Sequence, residues 1–180
     1  MQTWELLPHA AAPPIGVRGM TASLLSPVNG WVRLRWRVQG VAALAVPPFA
    51  GAGRADELWR TTCFELFVQP AGGAAYAEFN FSPSEQWAAY DFTGRRVGMS
   101  DRTVPRPPVC TLRLGGDLAI FDVAVPQSAL PTGYCAIGLT AVIEETGGAK
   151  SWWALAHGGA APDFHDPACF TAALAAPTDP

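Results

Sequence analysis

LWRTTCFELFVQPAGGAAYAEFNFSPSEQWAAYDF, residues 58–92, has the clearest period in the chain. Successive side chains of a strand point to opposite faces. From Thr62 to Gln69, Phe64, Leu66 and Val68 therefore share one face, and Cys63, Glu65, Phe67 and Gln69 share the other. In the next run Ala75, Ala77, Phe79 and Phe81 alternate with Tyr76, Glu78, Asn80 and Ser82. A Ser-Pro-Ser turn follows, and Gln86 to Phe92 continues the pattern. If the first two runs pair, Glu65 falls near Glu78 or Asn80. Two carboxyls and an amide then occupy the middle of the best strands.

The same period extends outward. Val32, Leu34, Trp36 and Val38 alternate with Arg33, Arg35 and Arg37, which predicts a half-buried strand with one cationic face, solvated or paired with carboxylates across the sheet. Trp36 belongs to the core on this pattern. Val109–Leu114 and Leu118–Val125 flank a Gly-Gly-Asp turn and read as a hairpin. Tyr134–Glu144 is a nearly continuous apolar run, as expected of a strand covered on both sides. Ser151–Ala156 and Phe170–Leu174 are the last strand candidates, and Pro126–Pro131 has room for one helical turn. No window gives an amphipathic helix of ten or more residues. Many short strands with turns between them predict an all-β, antiparallel β-sandwich with little helix, one domain over residues 1–180. Long loops are expected over 47–57, 94–108 and 157–167.

Composition limits the function. The formal charge is −3, which does not suit a nucleic-acid partner. No apolar run approaches the roughly 20 residues of a spanning helix, so no membrane partner is expected. The N-terminal MQTWELLPHAAAPP lacks a basic segment followed by an apolar one, and a cytoplasmic location is expected. Cys63, Cys110, Cys135 and Cys169 form no CxxC pair and read as free buried thiols.

Three readings of Glu65, Glu78 and Asn80 stand side by side. They form a wet sheet face, a sugar site, or a general acid and base pair. A sugar site needs polar groups that fix hydroxyls and an aromatic surface that stacks on the ring. Trp59, Tyr76, Trp87, Tyr90, Trp152 and Trp153 are the aromatic candidates. Trp152 and Trp153 are adjacent, so at most one faces the ligand side. Arg60 is a rim candidate. His157, Asp163, His165 and Asp166 lie within HGGAAPDFHDP, where they either build a turn or offer metal-type ligands at no recognised spacing. Cys169 near His165 has no third group placed to orient a base. No catalytic residue and no metal ligand is assigned.

DELWRTTCFELFVQP, YAEFNFSPSEQWAAYDF, SWWALAH and PDFHDPACF together resemble the bacterial DOMON-like domains, which are related to the family 9 carbohydrate-binding modules. The likeness spans residues 20–174. It implies a jelly-roll type of sandwich whose members bind sugar or haem. For sugar it implies a tryptophan and glutamate at Trp59 and Glu65, Asn80 as a polar contact, and Trp153 or Trp152 as the second stacking ring. PDFH, with Asp163 and His165, would close the sandwich beside that site. For haem it implies Met99 with His157 or Lys150 as axial ligands. The leading expectation is a non-catalytic domain for a small polar ligand, a sugar or glycoconjugate. A haem-binding electron-transfer domain and a module docking a protein partner are the alternatives.

Overall fold

The computed structural model describes residues 1–174. Its strands are β1 (Gln2–Pro8), β2 (Gly19–Val28), β3 (Trp31–Gln39), β4 (Gly53–Arg54), β5 (Cys63–Pro70), β6 (Tyr76–Phe81), β7 (Gln86–Phe92), β8 (Ser100–Asp101), β9 (Val109–Gly115), β10 (Leu118–Pro126), β11 (Cys135–Glu144), β12 (Lys150–Ala154) and β13 (Ala172–Leu174). Helix among the described residues is confined to 3-10 turns of three residues each, including Leu58–Arg60 and Gln127–Ala129.

The strands form one continuous path, in the order β4-β7-β6-β5-β11-β12-β1-β2-β3-β10-β9, with β13 on β11 and β8 on β7. All pairings are antiparallel except β4 with β7, so the sheet is mixed. The sequence predicts two sheets facing each other. The structure has one sheet that curls, and β1 is the joint. Gln2–Leu6 of β1 pair with β2, whereas Leu7 and Pro8 pair with Ala154 and Trp153 of β12. β1 and β2 have no counterpart among the predicted strands. β1 is exposed along most of its length with only Leu6 buried, and β2 carries an irregular register between Leu25 and Val28. Neither shows a sustained alternation.

The inside of the curl is apolar. Phe64 of β5 lies 5.5 Å from Trp36 of β3 and stacks at 4.5 Å on Phe121 of β10, so the two halves of the sheet meet at these rings. Leu66, Val68, Phe79, Phe81, Leu139 and Ile143 extend the same core. Burying each such side chain contributes about 1.5–3 kcal/mol. The cationic stripe of β3 lies on the outside: Arg33 and Arg37 are exposed, and Arg35 grips Asp122 of β10 through two hydrogen bonds of 2.6 and 3.0 Å. The predicted hairpin closes at Gly116, whose φ of +57° suits glycine. All four cysteines are buried free thiols. No helix among the described residues is long and apolar enough to cross a membrane.

β12 and β13 follow one another along the same edge of β11, opposite Thr140–Glu144 and Cys135–Ile137 respectively. The chain between them therefore has to leave the sheet and return to it. On the way it crosses the outer face of β5, β6 and β11. Gly138 of β11 permits this crossing, since a Cβ there would stand 2.7 Å from the Phe170 ring. The outer face is thus roofed rather than wet. Phe67, Tyr76, Tyr90, Phe92 and Val142 of the sheet pack with Phe164, Cys169 and Phe170 of the crossing segment into a second buried cluster.

Candidate functional site

Register decides which polar groups meet. Glu65 stands opposite Asn80 on one side and Thr140 on the other, and Glu78 stands between Phe67 and Tyr90. Glu65, Glu78 and Asn80 are 2%, 6% and 0% exposed, which excludes the wet-face reading. Burying carboxyls requires partners. Thr140 donates to Glu65 Oε2 at 3.1 Å, and Asn80 Nδ2 donates to Glu78 Oε1 at 2.8 Å.

The roof does not fill the space above them. A cavity of about 310 Å³ remains, with Glu65, Phe67 and Glu78 on its floor and Trp59, Tyr90, Phe92, Trp152 and Arg96 among its walls. Val142, Pro162, Phe164, His165 and Met99 complete the lining. The volume is at the small end of the roughly 300–1,000 Å³ common for ligand pockets. Trp59 reaches the rim from the 3-10 turn Leu58–Arg60, entered through Glu57 at a φ of +59°. It is 38% exposed and so leaves aromatic surface free.

A hydrogen-bond chain fixes His165. The backbone amide of Arg96 donates to the Tyr76 hydroxyl at 3.2 Å, and that hydroxyl lies 2.6 Å from His165 Nδ1. The hydroxyl accepts from the amide and meets no acceptor but Nδ1 among the described residues, so its proton goes to Nδ1. A neutral His165 then carries its own proton on Nε2, which faces Glu78 Oε2 at 3.7 Å. Burial, helped by Arg96, lowers the His165 pKa to about 4, so the ring is neutral near pH 7. The carboxyls move the other way. Burial raises Glu78 to about 7, and burial together with the neighbouring Glu78 charge holds Glu65 well above the carboxylate range. Arg96 opposes both shifts without cancelling them. Its guanidinium is held by Asp163 Oδ1 at 2.8 and 3.1 Å, beside Arg95, which takes the other Asp163 oxygen at 2.7 Å.

Of the sequence candidates, Trp59, Glu65, Glu78, Tyr90, Trp152 and His165 line this cavity. Tyr76 and Asn80 stand behind it and hold His165 and Glu78. Asp163 also supports from outside: it binds Arg95 and Arg96 and accepts the His165 backbone amide at 3.1 Å. Trp87, Trp153, His157 and Arg60 lie elsewhere. Trp87 and Trp153 belong to the inner core, because odd positions of β7 and β12 point inward. Trp153 is 2% exposed and donates to Ser151 Oγ at 2.9 Å, so its neighbour Trp152 is the indole that lines the cavity. His157 Nε2 contacts the Leu7 carbonyl at 2.8 Å and its ring lies against His9, so the haem pair Met99–His157 is not gathered in one pocket. Lys150 Nζ is bonded to the Arg60 carbonyl. Arg60 is in a turn rather than a strand, and it pairs with Glu57 at 2.7 Å.

In the loop, Asp166 caps Ala168 at 2.9 Å with one oxygen and meets Arg95 at 3.2 Å with the other, while Asp163 holds both Arg95 and Arg96. The two carboxylates are thus occupied by arginine, His157 is turned to Leu7, and no three His, Cys, Asp or Glu side chains among the described residues converge as metal ligands. The wall residues that the sequence did not suggest are Arg96, Met99 as a ligand wall, Phe92, Val142, Pro162 and Phe164. Arg96 comes from a loop, at a φ of +57°, and no strand period could have placed it.

No protein-family model matches the chain, and no curated protein matches it. Among solved structures it is similar to a "putative carbohydrate-binding protein" from Bacteroides uniformis ATCC 8492, with a TM-score of 0.68 and 16% identity, over 96% of this chain and 85% of that one. At that identity the two share a fold, and the curled all-β architecture described above is that fold.

Proposed function

We propose that the chain is a single non-catalytic domain that binds one sugar unit of a carbohydrate or glycoconjugate in the cavity above β5, β6 and β11. The observation that carries this reading is the composition of the cavity: two buried carboxyls on the floor and the indoles of Trp59 and Trp152 on the walls. A pyranose has an apolar face that stacks on an indole and hydroxyls that require fixed polar partners. Trp59 and Trp152 supply the stacking surfaces. Glu65 and Glu78 exchange hydrogen bonds with the hydroxyls, and Asn80, Thr140 and the Tyr76–His165 chain hold those groups in place. The similarity to the "putative carbohydrate-binding protein" of the same fold and the resemblance to the DOMON-like domains support this reading. That relationship would make the curled sheet a jelly-roll variant.

A glycan array followed by isothermal titration tests the reading. Trp59→Ala and Trp152→Ala should each weaken a bound sugar about tenfold or more, as truncation of a buried aromatic anchor does. Unchanged affinity in both, with Glu65→Ala also unchanged, removes the site.

A further inference from the structure

The cavity floor sets two carboxyls beside neutral partners and no cation. Both are nine-tenths buried or more. Glu65 is reached by the Thr140 hydroxyl, and Glu78 by the Asn80 amide. Neither is bonded to a cation. The two basic side chains on the walls do not fill that role. His165 is neutral and already accepts from Tyr76. Arg96 turns its guanidinium to Asp163, and its side chain is 60% exposed. The remaining lining is aromatic: Trp59, Phe67, Tyr90, Phe92, Trp152 and Phe164. Aromatic faces carry negative potential and attract cations, the more so once desolvated. An anionic ligand would meet two carboxyls and no free guanidinium. A neutral ligand would leave the carboxyls in their protonated forms and make no use of the charge that Glu78, with a pKa raised to about 7, can carry.

Resting on the sugar reading above, we infer that the bound sugar carries a protonated amine, which docks between the Glu65 and Glu78 carboxyls inside the aromatic walls. The ligand class is thereby a cationic amino sugar with a free amine. The amine supplies the counter-charge that the chain omits, and the Trp59 and Trp152 rings cover the sugar. Binding then drives Glu78 to its carboxylate form, and the proton passes to buffer. The groups facing Glu78 are Glu65 from β5, Tyr90 from β7, His165 from the crossing segment and Arg96 from the loop after β7. Of these, Tyr90 is committed to Asp56 at 2.6 Å and Arg96 to Asp163.

Isothermal titration at about pH 7 with glucose, glucosamine, N-acetylglucosamine and the sugar-free cyclohexylamine tests this. Glucosamine should bind about tenfold or more tighter than glucose and N-acetylglucosamine. The advantage should vanish in Glu65→Gln and Glu78→Gln, isosteric changes that leave the cavity shape intact. In the unmodified protein the heat of glucosamine binding should vary with the buffer's ionisation enthalpy, reporting proton release, so a variant that fails to fold does not remove the test. Equal affinity for the three sugars overturns the cation and leaves the sugar reading standing. Glucosamine binding no tighter than cyclohexylamine keeps the cation and removes the sugar. Silence from all four removes both.

Discussion

The two faces of β5 and β6 are buried to the same degree and built from opposite chemistry. Inward, Phe64, Leu66, Val68, Ala77, Phe79 and Phe81 meet β3 and β10 in an apolar core. Outward, Cys63, Glu65, Phe67, Tyr76, Glu78 and Asn80 meet the crossing segment. The inner face is closed by a second layer of strands, whose regular spacing lets side chains interlock. The outer face is closed by a loop held by Phe164, Phe170 and a few hydrogen bonds, and a loop leaves a cavity. Stability therefore resides mainly on one side of these strands and binding chemistry on the other.

Breaking the inner face should have the largest effect. Trp36→Ala or Phe64→Ala removes a fully buried ring at the meeting point of the two halves, and urea unfolding should report a loss of about 3–5 kcal/mol. The outer face should respond to pH instead. Glu78 has a folded pKa of about 7 against an ordinary 4.5, so its contribution is complete below about pH 4.5 and lost as pH rises through 7. His165, lowered from 6.5 to about 4, works oppositely: its contribution is complete above 6.5 and lost as pH falls toward 4. The two slopes oppose each other between pH 4.5 and 6.5. Glu78→Gln should flatten the loss on the alkaline side by a few kcal/mol, on the order of 1.4 kcal/mol per pH unit traversed, and His165→Gln should flatten the acid side. Denaturation midpoints from pH 4 to 8 check both; equal slopes in all three proteins would mean that neither Glu78 nor His165 titrates with folding.

Smaller changes sharpen the contrast. Gly138→Ala pushes a methyl toward the Phe170 ring and should cost about 1–3 kcal/mol, with binding lost in step because the roof is displaced. A change in stability with an unaltered cavity ligand would show that the roof does not shape the site. Tyr76→Phe removes the donor to His165 and leaves the stacking on Phe92 at 4.9 Å, so about 1 kcal/mol is expected, read by unfolding, together with a shift in the His165 titration followed by NMR.

Much of this was legible in the period of the strands. Glu65, Glu78 and Asn80 share a face because alternation is a property of the extended backbone, and Trp36 is core for the same reason. The choice between Trp152 and Trp153 was not legible. Alternation says the two differ, but which one faces inward depends on where β12 begins its pairing with β11. His157 and His165 look equivalent in sequence, yet one contacts the Leu7 carbonyl and the other closes the cavity. Loop paths lack a period, so a residue's place in them follows from what it packs against.

By itself the sequence determined an all-β chain, the inner core of β3, β5, β6, β10 and β11, and a polar stripe bounded by aromatics, since these follow from a repeat of two and from turn chemistry. Only the tertiary structure decided that the stripe is buried, that Arg96 and Trp152 join it, and that β1 fuses the halves into one curled sheet. Those outcomes depend on contacts between residues such as Tyr76 and His165, or Gly138 and Phe170, which are far apart in the chain and are brought together only by folding.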